Sequence, residues 1–371
     1  MRLRRSRDAR PDAPRDAPAP RDSSQNGPRT VVLHVGAPKT GSTFIQQTLW
    51  HNRERLGTAG VCYPLEEPRE HFAATMDLRE TVWGGERNPA WEGAWERVAT
   101  RVREWSGHTA VFSNELLGAA TGDQIARAVE SLAPAEVRIV FTARDLARQL
   151  PSDWQEQVKH THAVSFDDFV DDLVAHGLAA TPPFGPMFWG LHDPVHVLRP
   201  WSEVVGADHV HVITVPQQGA PRDTLWRRFA GVLALDPQLC DLDNAKGNRS
   251  LGAVEAELLR TINERADRIE PRNYRDALRG RLIEEVLHGR SDQAPIAFPQ
   301  RHLDWVRKRS QELIDGVRDA GYAVVGDLSE LEPAAPPPGA VDPAAIDGAV
   351  LLEAALDALA GLVTHRPPPQ D

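Results

Sequence analysis

Lysine is rare in this chain. Of 42 basic residues only Lys39, Lys159, Lys246 and Lys308 are lysine, the other 38 being arginine. An ammonium is a compact point charge where a guanidinium is a planar fork, so each lysine invites a local reason. Lys39 stands in LHVGAPKTGSTFIQQTL, residues 33–49, where the apolar run Val31–Val35 stops at Gly36 and APKTGST leads into helical spacing. Backbone N–H groups at a strand-to-helix turn, with the positive end of the helix dipole, hold anions. Lys39 adds a full charge there, and Ser42 and Thr43 add hydroxyl donors. A nucleotide-kinase or GTPase loop reads G-x-x-x-x-G-K-[ST]. Here Ser42 follows the second glycine, Gly41, and the lysine precedes that glycine by two. No acidic strand end of the Mg²⁺-binding kind follows either. The pattern predicts a phosphate loop of another type, without a metal.

Other candidate groups lie further along. In VRIVFTARDLARQLPSDW, Arg144 comes just after a buried apolar run, and Ser152 lies eight residues on, about two helical turns away. FSNELL sets Glu115 just past the short run Ala110–Phe112, and EPREHF sets His71 after the first helix. AKGNRSLG, residues 245–252, gathers Lys246, Asn248, Arg249 and Ser250 before a long helical stretch. Structural alternatives exist: Ser113, Asn248 or Ser250 as helix caps, and Glu115 as a charge favouring a helix dipole. His108, His160 and His162 fall at loop or helix ends and are expected to face solvent.

These residues need a scaffold to bring them together. Val31–Val35, Ala110–Phe112, Val137–Thr142 and His209–Val215 read as buried strands. Helical spacing follows or precedes them at Ser42–Arg55, Asp123–Leu132, Leu146 to His160, and a stretch ending near Val205. Such alternation predicts an α/β fold, a three-layer arrangement with a central, mostly parallel sheet flanked by helices. From Pro221 to Ala320 the pattern is nearly all helical, so the carboxy-terminal part is expected to wall a cleft.

The ends differ in composition. Residues 1–29 are rich in Arg, Asp, Pro and Ala without periodicity, and are expected to be disordered, as is 365–371. The main domain is expected over 30–330, followed by a proline-rich linker over 331–343. Ala345, Ala349, Leu352, Leu356, Leu359 and Val363 then predict an amphipathic helix over 344–364. Its leucines are expected to dock on the chain's own domain or on a second copy. Its polar face carries Asp347, Glu353 and Asp357 but no basic residue, which argues against a membrane surface.

Bulk properties bound the rest. The 371 residues are 41% hydrophobic and 26% charged, enough for a core. No stretch reaches the roughly 18–20 apolar residues of a membrane span, and the arginine-rich start lacks the apolar region of a secretory signal. Two cysteines, Cys62 and Cys240, make neither a disulfide framework nor a four-cysteine metal site. A cytoplasmic protein is expected. The net charge is −11; residues 1–30 carry +4, so the rest carries −15 and has no field to draw nucleic acid.

Pro38-Lys39-Thr40-Gly41-Ser42-Thr43 resembles the 5′-phosphosulfate loop of the sulfotransferases, which use 3′-phosphoadenosine 5′-phosphosulfate (PAPS). Those enzymes also carry an Arg after a buried strand and a Ser eight residues later, both on the 3′-phosphate, and Arg144 with Ser152 is similar. Leu146 and Gln149 stand where the family often has Pro and a second Arg. The resemblance spans about residues 30–260 and is greatest to bacterial sulfotransferases and to domains that modify glycosaminoglycans. It implies a P-loop-like fold, with Lys39 and the amides of Thr40 to Thr43 on the phosphosulfate. It implies Phe44, where many relatives have Trp, against adenine, and Lys246, Asn248 and Arg249 closing over the 3′-phosphate.

The implied reaction is in-line sulfuryl transfer to a hydroxyl or amine, leaving adenosine 3′,5′-bisphosphate. Some bacterial members carry a carboxylate on the loop helix, but Gln46 and Gln47 occupy that region here. Members acting on glycosaminoglycans place a Glu between the two phosphate elements, which implies Glu115 as the base, with His71 as runner-up. The acceptor stays open: sugar, lipid headgroup, phenol or polysaccharide. So do two other classes, a nucleoside or small-molecule kinase and an inactive phosphonucleotide-binding module that recruits partners through the tail helix.

Overall fold

Val31, Val32, Leu33 and Val35 are wholly buried. A run that is apolar on both faces belongs in the middle of a parallel sheet, and strand β1 (Thr30–Gly36) lies there. The structure is a computed structural model describing residues 29–82, 87–245, 250–265, 277–290 and 293–364. Lys246, Asn248 and Arg249, the arm 1–28 and the tail 365–371 therefore lie outside the described residues. The other strands are β2 (Val61–Cys62), β3 (Thr109–Ser113), β4 (Glu136–Ala143), β5 (Val210–Thr214) and β6 (Ala323–Val325). They form one sheet in the order β2-β3-β1-β4-β5-β6, parallel at every pairing. The fold is α/β, a parallel sheet flanked by helices.

The topology places a crevice. The chain leaves β1 toward β2 on one side and leaves β4 toward β5 on the other. In open parallel sheets ligands bind outside the carboxyl ends at such a reversal. Because β1 and β4 are paired neighbours, the loops after Gly36 and Ala143 open into the same crevice.

The helices that matter for the site are α1 (Ser42–His51), α2 (Glu70–Leu78), α3 (Leu146–Lys159), α4 (Phe184–His192) and α5 (Ala253–Arg265). Helix α1 was expected to run to Arg55 and ends four residues earlier. The Asn52 side chain donates to the Thr48 carbonyl at 2.9 Å and to the Asp241 carbonyl at 2.8 Å. Such side-chain bonds compete with the helical ladder, and a new short helix starts at Arg53. Between Pro221 and Ala320 helices do dominate, including a wide-turned π-helix, Ala277–Val286.

Two apolar cores result. One surrounds the sheet. The other is helical and joins Leu150, Trp154 and Val158 of α3 to Phe188 of α4 and Leu259 of α5. The tail helix, Gly348–Thr364, docks on this second core, but not through the expected face. Leu352, Leu356 and Leu359 are 61%, 57% and 58% exposed, while Ala354 and Ala358 are 0% and 4% exposed. Close approach explains the choice, since a Cβ on Gly361 would lie 2.8 Å from Val286 Cγ1. Leu351, Ala355 and Leu362 pack beside these small residues on the same core. No helix among the described residues is long and apolar enough to cross a membrane.

Candidate active site

The turn after β1 depends on unusual backbone. Lys39 has φ 59°, in the left-handed region that side chains rarely adopt. Gly41 has φ 97°, and a Cβ there would lie 2.5 Å from Leu225 Cδ2, so only glycine fits. Strained residues of this kind persist where the surroundings hold them and cluster at binding sites. Gly41 begins α1, and no side chain caps it. The orphan amides of the first turn are thus left for something else.

A buried polar network holds the turn from below. Thr40 is buried, and its Oγ1 donates to the Ala37 carbonyl at 2.6 Å while touching Thr142 Oγ1. Thr142 Oγ1 donates to the Gly36 carbonyl at 3.0 Å. Beneath lies His34, with Nδ1 2.7 Å from Ser113 Oγ and Nε2 3.2 Å from Thr142 Oγ1. Since Thr142 spends its proton on Gly36, His34 Nε2 donates to Thr142 and Nδ1 accepts from Ser113. Burial lowers this ring to about 4, against a smaller upward pull from the Gly36 backbone, so it is neutral. Thr40, expected on the cofactor through its amide, commits its side chain to this network and is not among the residues that line the cavity. Ser113, weighed as a helix cap, is a strand residue bonded to His34, and Asn114 caps instead.

Above the turn opens a cavity of ≈ 390 Å³. Pro38, Lys39, Gly41, Ser42, Thr43 and Phe44 line it, as do Arg144, Ser152, Glu115 and His71. These residues, far apart along the chain, therefore meet in one place. Ser250 lines it too, so the chain re-enters the site directly after the undescribed 246–249.

Arg144 Nη1 donates to the Lys39 carbonyl at 3.0 Å, while its Nε is buried with no hydrogen-bond partner among the described residues. Burial pulls this guanidinium down to about 10, Arg148 adds to the shift and Asp145 opposes it, so it stays charged at neutral pH. Gln149, where the resemblance has a second Arg, donates from Nε2 to the Pro38 carbonyl at 3.0 Å and fastens the loop.

Lys39 has an unforeseen partner. Its Nζ lies 2.5 Å from Glu156 Oε2, and Glu156 Oε1 is 3.4 Å from His160 Nε2. Burial would raise the Glu156 carboxyl, but His160, Lys39 and Lys159 together hold it well below the ordinary carboxylate range. His160 was expected in solvent and lines the cavity instead. Ser152, Glu156 and His160 sit at i, i+4 and i+8 along α3 and the residue that ends it. That spacing was the signal available in the sequence. Asp153 and His192, both buried, also line the cavity, with His192 Nε2 4.0 Å from Asp153 Oδ1. Burial raises the Asp153 carboxyl, and burial lowers the His192 ring.

Glu115 and His71 line the same cavity. Glu115 opens the short 3₁₀ turn Glu115–Ala119 after β3. Its Oε2 accepts from Gln46 Nε2 at 3.0 Å, and the same amide donates to the Ser113 carbonyl at 3.3 Å. Gln46 therefore orients Glu115 from the first turns of α1. His71, in the first turn of α2, lies with Nδ1 2.8 Å from Asn114 Nδ2. Burial lowers His71, and the Glu115 charge partly opposes this.

No family model and no curated protein matches the chain. Among solved structures it is similar to a sulfotransferase from Alicyclobacillus acidocaldarius, at 15% identity, over 60% of this chain and 86% of that one, with a TM-score of 0.36. A likeness that distant says nothing of activity, which has to be read from the site itself.

Proposed function

We propose that this chain is a sulfotransferase that moves the sulfuryl group of PAPS to an acceptor, and the observation that carries the reading is the convergence of Lys39, Arg144, Ser152 and Glu115 on one cavity. The donor set fits a nucleotide with two anionic groups: an uncapped helix start, a lysine, two hydroxyls and a buried guanidinium with an N–H unused among the described residues. PAPS, when bound, supplies an activated sulfuryl group at one end and a 3′-phosphate handle at the other. Lys39, Ser42, Thr43 and the first amides of α1 hold the phosphosulfate end and stabilise the charge that develops there. Arg144 and Ser152 hold the 3′-phosphate. Glu115 takes the acceptor's proton, since its partner is the neutral amide of Gln46 and no cation is paired with it among the described residues.

Calorimetry tests the cofactor. Adenosine 3′,5′-bisphosphate is expected to bind about 10- to 100-fold more tightly than AMP, the usual worth of a charge-assisted contact to a second phosphate. Equal affinities would sink the reading. Mg²⁺-dependent ATP binding in the same instrument would favour a kinase.

A further inference from the structure

Asn114 has no freedom in how it presents its amide to His71. Its Oδ1 accepts from the Leu116 backbone N–H at 2.9 Å, so the carbonyl end of the side chain is committed. The other end, Nδ2, lies 2.8 Å from His71 Nδ1, and an amide NH₂ can only donate. His71 Nδ1 is therefore an acceptor, and the proton of the neutral ring sits on Nε2. The ring's basic nitrogen is already spent. What His71 still has is one N–H donor, in the cavity that Glu115 also lines.

We propose that His71 Nε2–H donates to the nucleophilic atom of the acceptor while Glu115 takes that atom's proton, and that this pair restricts the site to hydroxyl acceptors. The inference rests on the sulfotransferase reading above. A hydroxyl oxygen has two lone pairs and one hydrogen. One lone pair accepts from His71, the hydrogen points to Glu115, and the second lone pair attacks sulfur. In the step the O–H bond breaks toward Glu115 and an O–S bond forms. The S–O bond to the 5′-phosphate breaks, and its electron pair leaves with adenosine 3′,5′-bisphosphate. An amine nitrogen has one lone pair, which must attack, so its N–H groups meet the N–H of His71 with nothing to accept. As an ammonium it has no lone pair at all. A donor facing a donor in a buried site is left unsatisfied, and sites built to bond one group reject the analogue that cannot complete the bond.

Phe72, Leu116, Met187 and Leu191 line the same cavity and offer apolar contact to the acceptor's skeleton.

The test has two readouts on the full chain. The first is the ring-nitrogen NMR spectrum of imidazole-labelled protein, with His71 identified by its loss in His71→Leu. A protonated Nε2 and a bare Nδ1 are expected; a proton on Nδ1 overturns the proposal without any turnover measurement. The second uses radiolabelled PAPS with matched alcohols and amines on aryl, alkyl and sugar skeletons. Alcohols are expected to exceed their matched amines by about 100-fold or more. His71→Gln keeps an N–H near the Nε2 position and should hold that ratio, whereas His71→Leu should lower it by about tenfold or more. Comparable transfer to any amine overturns the proposal, as does silence of every alcohol while adenosine 3′,5′-bisphosphate still binds. Loss of the bisphosphate preference over AMP would instead bring down the sulfotransferase reading itself.

Discussion

Glu115 and Glu156 share one cavity and keep different company, and that difference is why the proposed base is Glu115. Glu156 is bonded to Lys39 and close to His160, which hold its carboxyl far down. A carboxylate so stabilised takes a proton poorly. Glu115 accepts from a neutral amide, Gln46, and has no ion pair among the described residues. Glu115→Gln keeps the size and removes the basicity, so turnover should fall by about 10²–10⁴. Affinity for adenosine 3′,5′-bisphosphate should stay within about twofold in calorimetry, because the residue serves the acceptor. Glu156→Gln should behave in the opposite way. An incoming anion would no longer have to displace a carboxylate from Lys39, and bisphosphate affinity should rise by about tenfold. Weaker binding would mean that Glu156 is a strut that aims Lys39. Lys39 was legible because a lysine is rare here and stands in a recognisable loop. For Glu156 the sequence offered only its helical spacing from Ser152, and nothing in it ties residue 156 to residue 39. His71 was legible as a candidate, but its role turns on which end of the Asn114 amide faces it, a fact of three dimensions.

At the level of elements, the long buried strands were readable, and the short ones were not. β1 and β4 announce themselves by continuous apolar runs, whereas β2 has two residues and β6 three, with Val324 exposed. Periodicity needs more length than that. The polar residues inside the strands were equally hidden, although they fix the turn after β1. His34 sits opposite Ser113 in the β1–β3 register and bonds across to Thr142 of β4. The ring is held neutral, lowered from 6.5 to about 4. Between those two pH values the unfolded chain binds a proton that the folded chain refuses. Stability therefore falls as pH drops through that window, and rises with pH across it, by about 3 kcal/mol in total. Denaturant melts of the native chain and His34→Asn at pH 7 and 4.5 isolate the effect. The variant should be less stable at pH 7 but should lose less on acidification. An unchanged pH slope would mean that His34 titrates freely in the folded state.

For the molecule as a whole, the site is built where two cores meet. The loop on β1 and helix α1 grow from the sheet core, while α3 and α4 belong to the helical core and supply Ser152, Glu156 and His192 to the same cavity. Periodicity marks which face of a helix is apolar, but not which neighbour will cover it. The tail helix makes the point, for Leu352, Leu356 and Leu359 are the stronger apolar signal, yet the face that docks centres on Ala354 and Ala358, with Leu351 and Leu362 beside them. Docking is reinforced by an ion pair between Arg290 and Asp357 at 2.7 Å. Two substitutions separate the faces. Ala358→Leu puts three extra carbons where packing is complete and should cost about 1–3 kcal/mol, lowering Tm measurably. Leu356→Ser alters a side chain that is mostly in water and should shift stability by no more than about 0.5 kcal/mol. Self-association through the leucine stripe is tested on the same face by light scattering. If a second copy covers Leu352, Leu356 and Leu359, replacing all three with serine should halve the particle mass and leave the Ala358 face docked. An unchanged mass, with the native chain already monomeric, would leave the stripe to water and the sequence-based expectation of a homo-oligomer without support.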